Sequence, residues 1–114
     1  MHKVEIARQS GVPVVAARGE LDAFAAPDLE RSLNDARGER AFVVDFEAVS
    51  FLDSTALGVV VAAVRRAQEA GIETRIVLPG SAARRIFEIT TLDRILPVAE
   101  SRASALEALS AEEA

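Results

Sequence analysis

The sequence feature that most constrains the fold is the run AFVVDF at residues 41–46, which is apolar at every position but one. A run with so few polar residues is typical of a strand covered on both faces, because a half-exposed strand alternates apolar with polar side chains. We therefore place residues 41–46 at the centre of a β-sheet that has helices against it.

The segment after this strand has the period of an amphipathic helix. Its apolar residues recur at the spacing of one helical face: Leu57, Val60, Val61, Val64 and Ala67. Gly71 provides an end for this helix, and IETRIVLPG at residues 72–80 predicts a further strand. The succession strand, helix, strand is typical of α/β proteins.

The first twenty residues predict two strands joined by a tight turn. Residues 3–8 and 12–18 are rich in Val, Ile and Ala, and a Ser-Gly pair at residues 10–11 separates them. Pro13 has no N–H for a strand ladder, so we expect it at an edge or at the beginning of its strand. Gly19 is expected to break that second strand.

Three more helices and one more strand complete the pattern. A helix is predicted at residues 26–37 with Gly38 as its stop, and others are predicted to begin after the N-caps Ser81 and Ser101. RILPV at residues 94–98 predicts a last short strand that ends at its proline. The order β-β-α-β-α-β-α-β-α predicts a single α/β domain, with a mixed β-sheet and helices packed mainly against one face.

The composition excludes several classes of function. The chain has 114 residues, of which 50% are hydrophobic, and this suffices for one core. A net charge of −5, with five Phe as the only aromatic residues, disfavours direct nucleic-acid binding. No Cys is present, which excludes disulfides and thiolate metal sites. The sole histidine, His2, lies in a segment expected to fray, so we expect no metal and no catalytic residue.

Location and assembly follow from the same counts. No stretch approaches the roughly 18 consecutive apolar residues that membrane insertion needs, and the first residues lack the apolar core of a signal peptide. We expect a cytoplasmic protein without a cofactor. The mixed surface charge favours a monomer in isolation.

The segment FLDSTALG at residues 51–58 carries the chemical signal. Asp53, Ser54 and Thr55 are three consecutive residues with cap-forming oxygen atoms at one helix start. Asp53 or Ser54 could be an N-cap and nothing more. A hydroxyl group there could also accept a phosphate, because the positive end of a helix accommodates an anion.

Four stretches together resemble the STAS domain, and in particular the bacterial anti-sigma-factor antagonists. They are GELD at 19–22, AFVVDF, the segment VSFLDSTALGVVVAAVRRAQEAG, and RRIFEITTLDRILPV. The resemblance implies a STAS domain over residues 3–110. It also implies that Ser54 is phosphorylated by a serine kinase that doubles as the anti-sigma factor, and that a phosphatase resets the switch. The protein would then be a substrate and not an enzyme.

Carried over residue by residue, the resemblance implies a docking face made of Asp22, Asp53, Ser54, Thr55 and Ala56. For Asp22, an Asx-turn or cap before the first helix is an equally good reading. Thr55 fits a helix-start residue better than a second phosphosite. The family's usual glycine is Ala56 here, and another glycine of the family is replaced by Thr91 near the end of the third helix.

Two other functions fit the same sequence less well. A STAS subunit that docks on a membrane transporter without phosphorylation would keep the fold and have no need of the hydroxyl group. A sensor of a small ligand or nucleotide would need a glycine-rich phosphate loop, and the six glycines form none. The pairs Arg65, Arg66 and Arg84, Arg85 fit solvated helix faces better than an anion site.

Overall fold

The computed structural model describes residues 1–36, 40–78 and 82–113, and it contains a five-stranded sheet in the order β1-β2-β3-β4-β5. The hairpin strands β1 and β2 are antiparallel, and the other neighbours are parallel, so the predicted mixed sheet is confirmed. The elements are β1 (His2–Gln9), β2 (Val12–Leu21), α1 (Ala26–Ala36), β3 (Ala41–Leu52), α2 (Ser54–Glu69), β4 (Glu73–Val77), α3 (Ala82–Ile89), a 3₁₀ turn (Leu92–Arg94), β5 (Val98–Ala99) and α4 (Arg102–Glu113).

The helices cover the two faces of the sheet unequally, as the sequence predicts. The larger buried cluster joins one face to α1, α2 and α3, through side chains such as Leu29, Val60 and Phe87. The smaller cluster lies on the other face, where Leu109 of α4 packs with Val43. The strand β3 is third of five and buried throughout residues 41–46, which confirms its central place.

The strands β2 and β3 are both longer than predicted. The segment 47–52, expected to be a connector, continues β3, and Gly19 does not break β2, which runs to Leu21. Each extension pairs with the other in parallel, and the register shifts on either side of residues 18–19. Gly19 has a φ of +82°, a conformation that would ordinarily end a strand. The register shift accommodates it, so β2 continues to Leu21.

The expectation that His2 frays is wrong. His2 is the first residue of β1 and pairs with Gly19, and its ring nitrogen Nε2 lies 2.8 Å from Asp28 Oδ2 of α1. Hydrogen bonds from His2 and then from Arg31 hold the pKa of the Asp28 carboxyl below its ordinary value. The contact joins the edge strand to the first helix.

The last strand lies later than predicted. Residues 92–94 form a 3₁₀ turn, and only Val98–Ala99 pairs with β4. Pro97 has no N–H, so the pairing begins through its carbonyl oxygen, which accepts from the Ile76 N–H at 2.8 Å. The cap by Ser101 is confirmed, since its Oγ accepts from the Ser104 N–H at 3.0 Å. The predicted stop at Gly38 and cap at Ser81 lie outside the described residues.

Thr91 occupies the left-handed region after α3, with a φ of 59°, although it is β-branched. The turn that a glycine would make is therefore present, at a cost in strain. We expect Thr91→Gly to raise the free energy of unfolding by about 1 kcal/mol, measured by urea denaturation. Thr90→Gly is the control, because Thr90 has no positive φ and its hydroxyl donates to the Ile86 carbonyl at 2.8 Å. A loss of stability in Thr91→Gly would contradict the strain.

Candidate functional site

The candidate site lies where β2 and β3 end side by side. Leu21 is paired with Leu52, and the Asp53 N–H donates to the Leu21 carbonyl at 3.0 Å. This hydrogen bond holds the ends of β2 and β3 together. Asp22 and Asp53, which follow the two strands, therefore lie next to each other. The structure thus brings together two aspartates that are far apart in sequence.

Asp53, and not Ser54, caps helix α2. Its backbone is extended, with φ −92° and ψ 176°, and its Oδ1 accepts from the Ala56 N–H at 2.9 Å. Ser54 is the first helical residue and is exposed, and its hydroxyl forms no hydrogen bond within the part of the chain that the structure describes. The need for a cap therefore explains Asp53 and leaves Ser54 without a structural role.

The start of α2 also has backbone donors that could meet an anion. The Ala56 N–H is taken by the cap, while those of Ser54 and Thr55 precede the first intrahelical bond, which runs from the Leu57 N–H to the Asp53 carbonyl at 3.0 Å. These N–H groups lie at the positive end of the helix. A phosphate on Ser54 would be accommodated there without a change of fold.

Asp22 forms the local turn that the sequence left as one of two readings. Its Oδ1 accepts from the Phe24 N–H at 3.0 Å and from the Ala25 N–H at 3.1 Å, just before α1. Asp22 is half-buried, and this turn holds Phe24 with 86% of its surface exposed. Apolar periodicity does not indicate Phe24, although an aromatic residue inside an Asx-turn, outside any apolar period, is a signal that could have indicated it.

Ala56 lies differently from the other four residues of the expected docking face. Thr55 is exposed like Ser54, but Ala56 is fully buried in the larger core cluster. Its methyl group faces the core, so its side chain cannot contact a partner. The replacement of the family's glycine therefore leaves the outer surface of the site unchanged.

The structure adds two observations about other kinds of site. Among residues 1–36, 40–78 and 82–113, no group of three or more His, Cys, Asp or Glu could hold a metal ion. Within the same ranges, no helix has the length and apolarity to cross a bilayer.

A comparison with protein families identifies this architecture. The family model of the STAS domain matches residues 3–105. This chain belongs to the STAS domain family. A curated relative, the anti-sigma-B factor antagonist of Staphylococcus aureus, is 34% identical over 99 residues, which cover 85% of this chain and 92% of the relative.

Solved structures of STAS domain proteins agree with the fold. An anti-sigma factor antagonist from Mycobacterium paratuberculosis superposes with a TM-score of 0.86 at 30% identity, covering 95% of this chain and 93% of that one. The Bacillus cell fate determinant SpoIIAA in its phosphorylated form has a TM-score of 0.71 at 21% identity, covering 94% and 99% of the two chains. The relative from Staphylococcus aureus and the structure from Mycobacterium paratuberculosis are thus both named as antagonists of anti-sigma factors.

Proposed function

We propose that this STAS domain is an anti-sigma-factor antagonist controlled by phosphorylation of Ser54. Unphosphorylated, it binds an anti-sigma-factor serine kinase in the cytoplasm and so frees a sigma factor. Phosphorylated, it leaves the kinase until a phosphatase removes the phosphate. The observation that carries the proposal is the Ser54 hydroxyl, which is exposed at a helix start whose cap is provided by Asp53.

The proposed docking surface consists of Asp22, Phe24, Asp53, Ser54 and Thr55. Phe24 offers an exposed ring of the kind that anchors protein interfaces, and it stands on a turn fixed by Asp22. The two carboxylates give the surface a negative charge before any modification. Ala56 is left out because it is buried.

The energetics of a phosphate at this position favour release of a docked partner. A phosphate brings a charge of about −1.5 to −2, and a partner pressed against Ser54 would have to desolvate it. An uncompensated buried charge costs several kcal/mol, and a differential affinity of about 5.5 kcal/mol moves an equilibrium from 99:1 to 1:99. One modification is therefore sufficient for a switch.

Two further considerations support this role over others. The relative from Staphylococcus aureus carries the name of an anti-sigma-B factor antagonist, and a phosphorylated form of SpoIIAA has been solved. A catalytic role for Ser54 would need a base on its hydroxyl, and none is hydrogen-bonded to it among the residues with described positions. The protein is in this proposal the substrate of the kinase and not itself an enzyme.

The proposal is tested by incubating the purified protein with ATP and each anti-sigma-type serine kinase of its genome. Mass spectrometry of the digested product is expected to find one phosphate, on Ser54. A phosphate on Thr55 would move the site by one residue and contradict the assignment. Absence of any label, together with binding to a membrane transporter, would replace the switch with a transporter subunit.

A further inference from the structure

A shallow groove of about 510 Å³ extends from Ser54 along the exposed side of α2. Its walls are mostly apolar, and the 3₁₀ turn after α3 forms its second side through Leu92. The groove is lined by Ser54, Leu57, Gly58, Val61, Ala62 and Leu92, with Arg65 and Arg66 at its far end. It is continuous with the proposed docking surface, because Ser54 belongs to both.

Gly58 forms the part of this groove where another chain could come closest. It lies within α2 with a negative φ, and a Cβ atom added there would have no neighbour within 4 Å. Neither backbone conformation nor internal packing therefore requires glycine, although glycine destabilises a helix interior relative to alanine. The missing side chain leaves space on the outside of the helix.

The two ends of the groove differ in charge. Arg65 and Arg66 are exposed at the far end, and neither forms an ion pair with any residue of the described ranges. At the near end, the N-terminus of α2 carries the positive end of the helix macrodipole. The distance between the ends is about 18 Å at 1.5 Å per residue from Ser54 to Arg66, which equals about three helical turns.

We propose that an amphipathic helix of the kinase partner lies in this groove, antiparallel to α2, with acidic residues in its first turn facing Arg65 and Arg66. This inference rests on the proposed function, since it names the part of the kinase that the site receives. The helix would pack its backbone over Gly58 and apolar side chains against Leu57, Val61 and Leu92. Acidic residues are favoured in the first turn of any helix, because that end of the macrodipole is positive. The same acidic residues are attracted to the arginines, so both effects favour the antiparallel orientation.

The orientation also gives a reason for release. An antiparallel helix places its carbonyl end, which is negative, against Ser54 and the positive start of α2. A phosphate on Ser54 would then oppose a helix C-terminus, where added negative charge is unfavourable. Phosphorylation would thus convert a favourable contact between helix ends into a repulsive one.

The first test uses Gly58→Ala and the kinase that labels Ser54 in the wild-type protein. The variant is expected to melt a few degrees higher, because alanine favours the helix, and to bind the kinase at least tenfold more weakly by calorimetry, because its methyl group enters the groove. A rise in melting temperature together with a fall in affinity excludes damage to the fold as the cause of weaker binding. Unchanged affinity in a stabilised Gly58→Ala variant would overturn the packing over Gly58.

The second test reverses the charges at the far end. Arg65→Glu with Arg66→Glu is expected to weaken binding of the same kinase at least tenfold. An Asp→Lys or Glu→Lys change in the first turn of the kinase helix is expected to restore binding. The matched control is Arg8→Glu with Arg18→Glu, which alters the net charge equally on the β1 and β2 hairpin and is expected to bind within threefold of wild type.

The outcomes distinguish a failure of the proposed partner helix from a failure of the proposed function. Equal weakening of kinase binding by the two double variants would show a general charge effect and overturn the role of Arg65 and Arg66. Unchanged kinase binding by the variant Arg65→Glu with Arg66→Glu would overturn it as well. If no kinase labels wild-type Ser54, the proposed function fails, and the partner helix fails with it. Labelling of Ser54 with unaltered binding of the groove variants overturns the inference alone.

Discussion

Ser54→Ala is expected to form the kinase complex as the wild-type protein does and to remain in it when ATP is added. The substitution removes one exposed oxygen that forms no hydrogen bond among the residues the structure describes, so the fold and the docking surface persist. Without the hydroxyl, no phosphate can form at the start of α2. The complex is therefore expected to survive ATP in size-exclusion chromatography, while the wild-type complex dissociates.

The size of this effect follows from the charge of the phosphate. We expect phosphorylation of wild-type Ser54 to lower kinase affinity at least 100-fold, which corresponds to about 2.8 kcal/mol. Ser54→Asp carries one charge in place of about two and is expected to lower affinity about tenfold, without a large change in melting temperature. Fluorescence anisotropy with labelled kinase measures both values.

Thr55→Ala is the matched control for Ser54→Ala. Thr55 is the neighbouring exposed hydroxyl on the first turn of the same helix, and although it belongs to the proposed docking surface, its loss is expected to leave ATP-dependent release intact, because Ser54 still accepts the phosphate. Dissociation of the Ser54→Ala complex by ATP would place the switch elsewhere. A large drop in the melting temperature of Ser54→Ala would show that this hydroxyl is structural.

The sequence predicts the chain order and the centre of the sheet because those features depend on local patterns. The run AFVVDF in β3, apolar at every position but Asp45, is typical of a strand covered on both faces. The period of α2 likewise orients that helix, with Leu57, Val60 and Val64 buried as predicted. Val61 is only partly buried and lies on the wall of the groove, a distinction that depends on how α2 meets the 3₁₀ turn.

The site is predicted less completely, because a one-residue change in the helix start alters the role of each side chain. With Ser54 as the cap, its hydroxyl would accept a hydrogen bond from a backbone N–H at the start of the helix. The structure begins the helix at Ser54, which assigns the cap to Asp53 and turns Ala56 inward. Asp53, Ser54 and Thr55 all have suitable oxygen atoms, so composition alone cannot choose between these arrangements.

Long-range pairing accounts for what the sequence does not reveal about the strands. Residues 47–52 contain exposed Glu47, Ser50 and Phe51 and have no regular alternation, so no local pattern indicates a strand. They become one because the end of β2 supplies a parallel partner, and Gly19 permits the irregular register between them. The exposed position of Phe24 likewise depends on the hydrogen bond from its N–H to Asp22, a turn that apolar periodicity alone does not detect.

The largest effect on stability is expected at a buried ion pair that joins α4 to the sheet. Asp45 of β3 is 4% exposed, and its Oδ2 accepts from Arg102 Nε at 2.9 Å and lies 2.8 Å from a terminal guanidinium nitrogen of Arg102. The other oxygen accepts from the Glu47 N–H at 2.9 Å. Arg102 begins α4, so this pair fixes the start of the only helix on its face of the sheet in the described ranges.

Arg102→Ala is expected to lower the free energy of unfolding by about 2 to 3 kcal/mol, measured by urea denaturation. Breaking a buried pair costs about 3 to 5 kcal/mol, and the cost is smaller here because the Arg102 side chain is 34% exposed. Asp45→Asn is expected to cost only about 1 kcal/mol, since the arginine left behind can turn to water, whereas the carboxylate left by Arg102→Ala cannot.

The double variant Asp45→Asn with Arg102→Ala decides whether the buried charge is the cause. If the penalty arises from an unpaired carboxylate, neutralising Asp45 in the Arg102→Ala background is expected to restore about 1 kcal/mol or more of the loss. Losses that simply add would assign the effect to packing of α4 instead. Kinase binding is expected to stay within threefold of wild type in all three variants, because α4 packs on the face of the sheet opposite to α2.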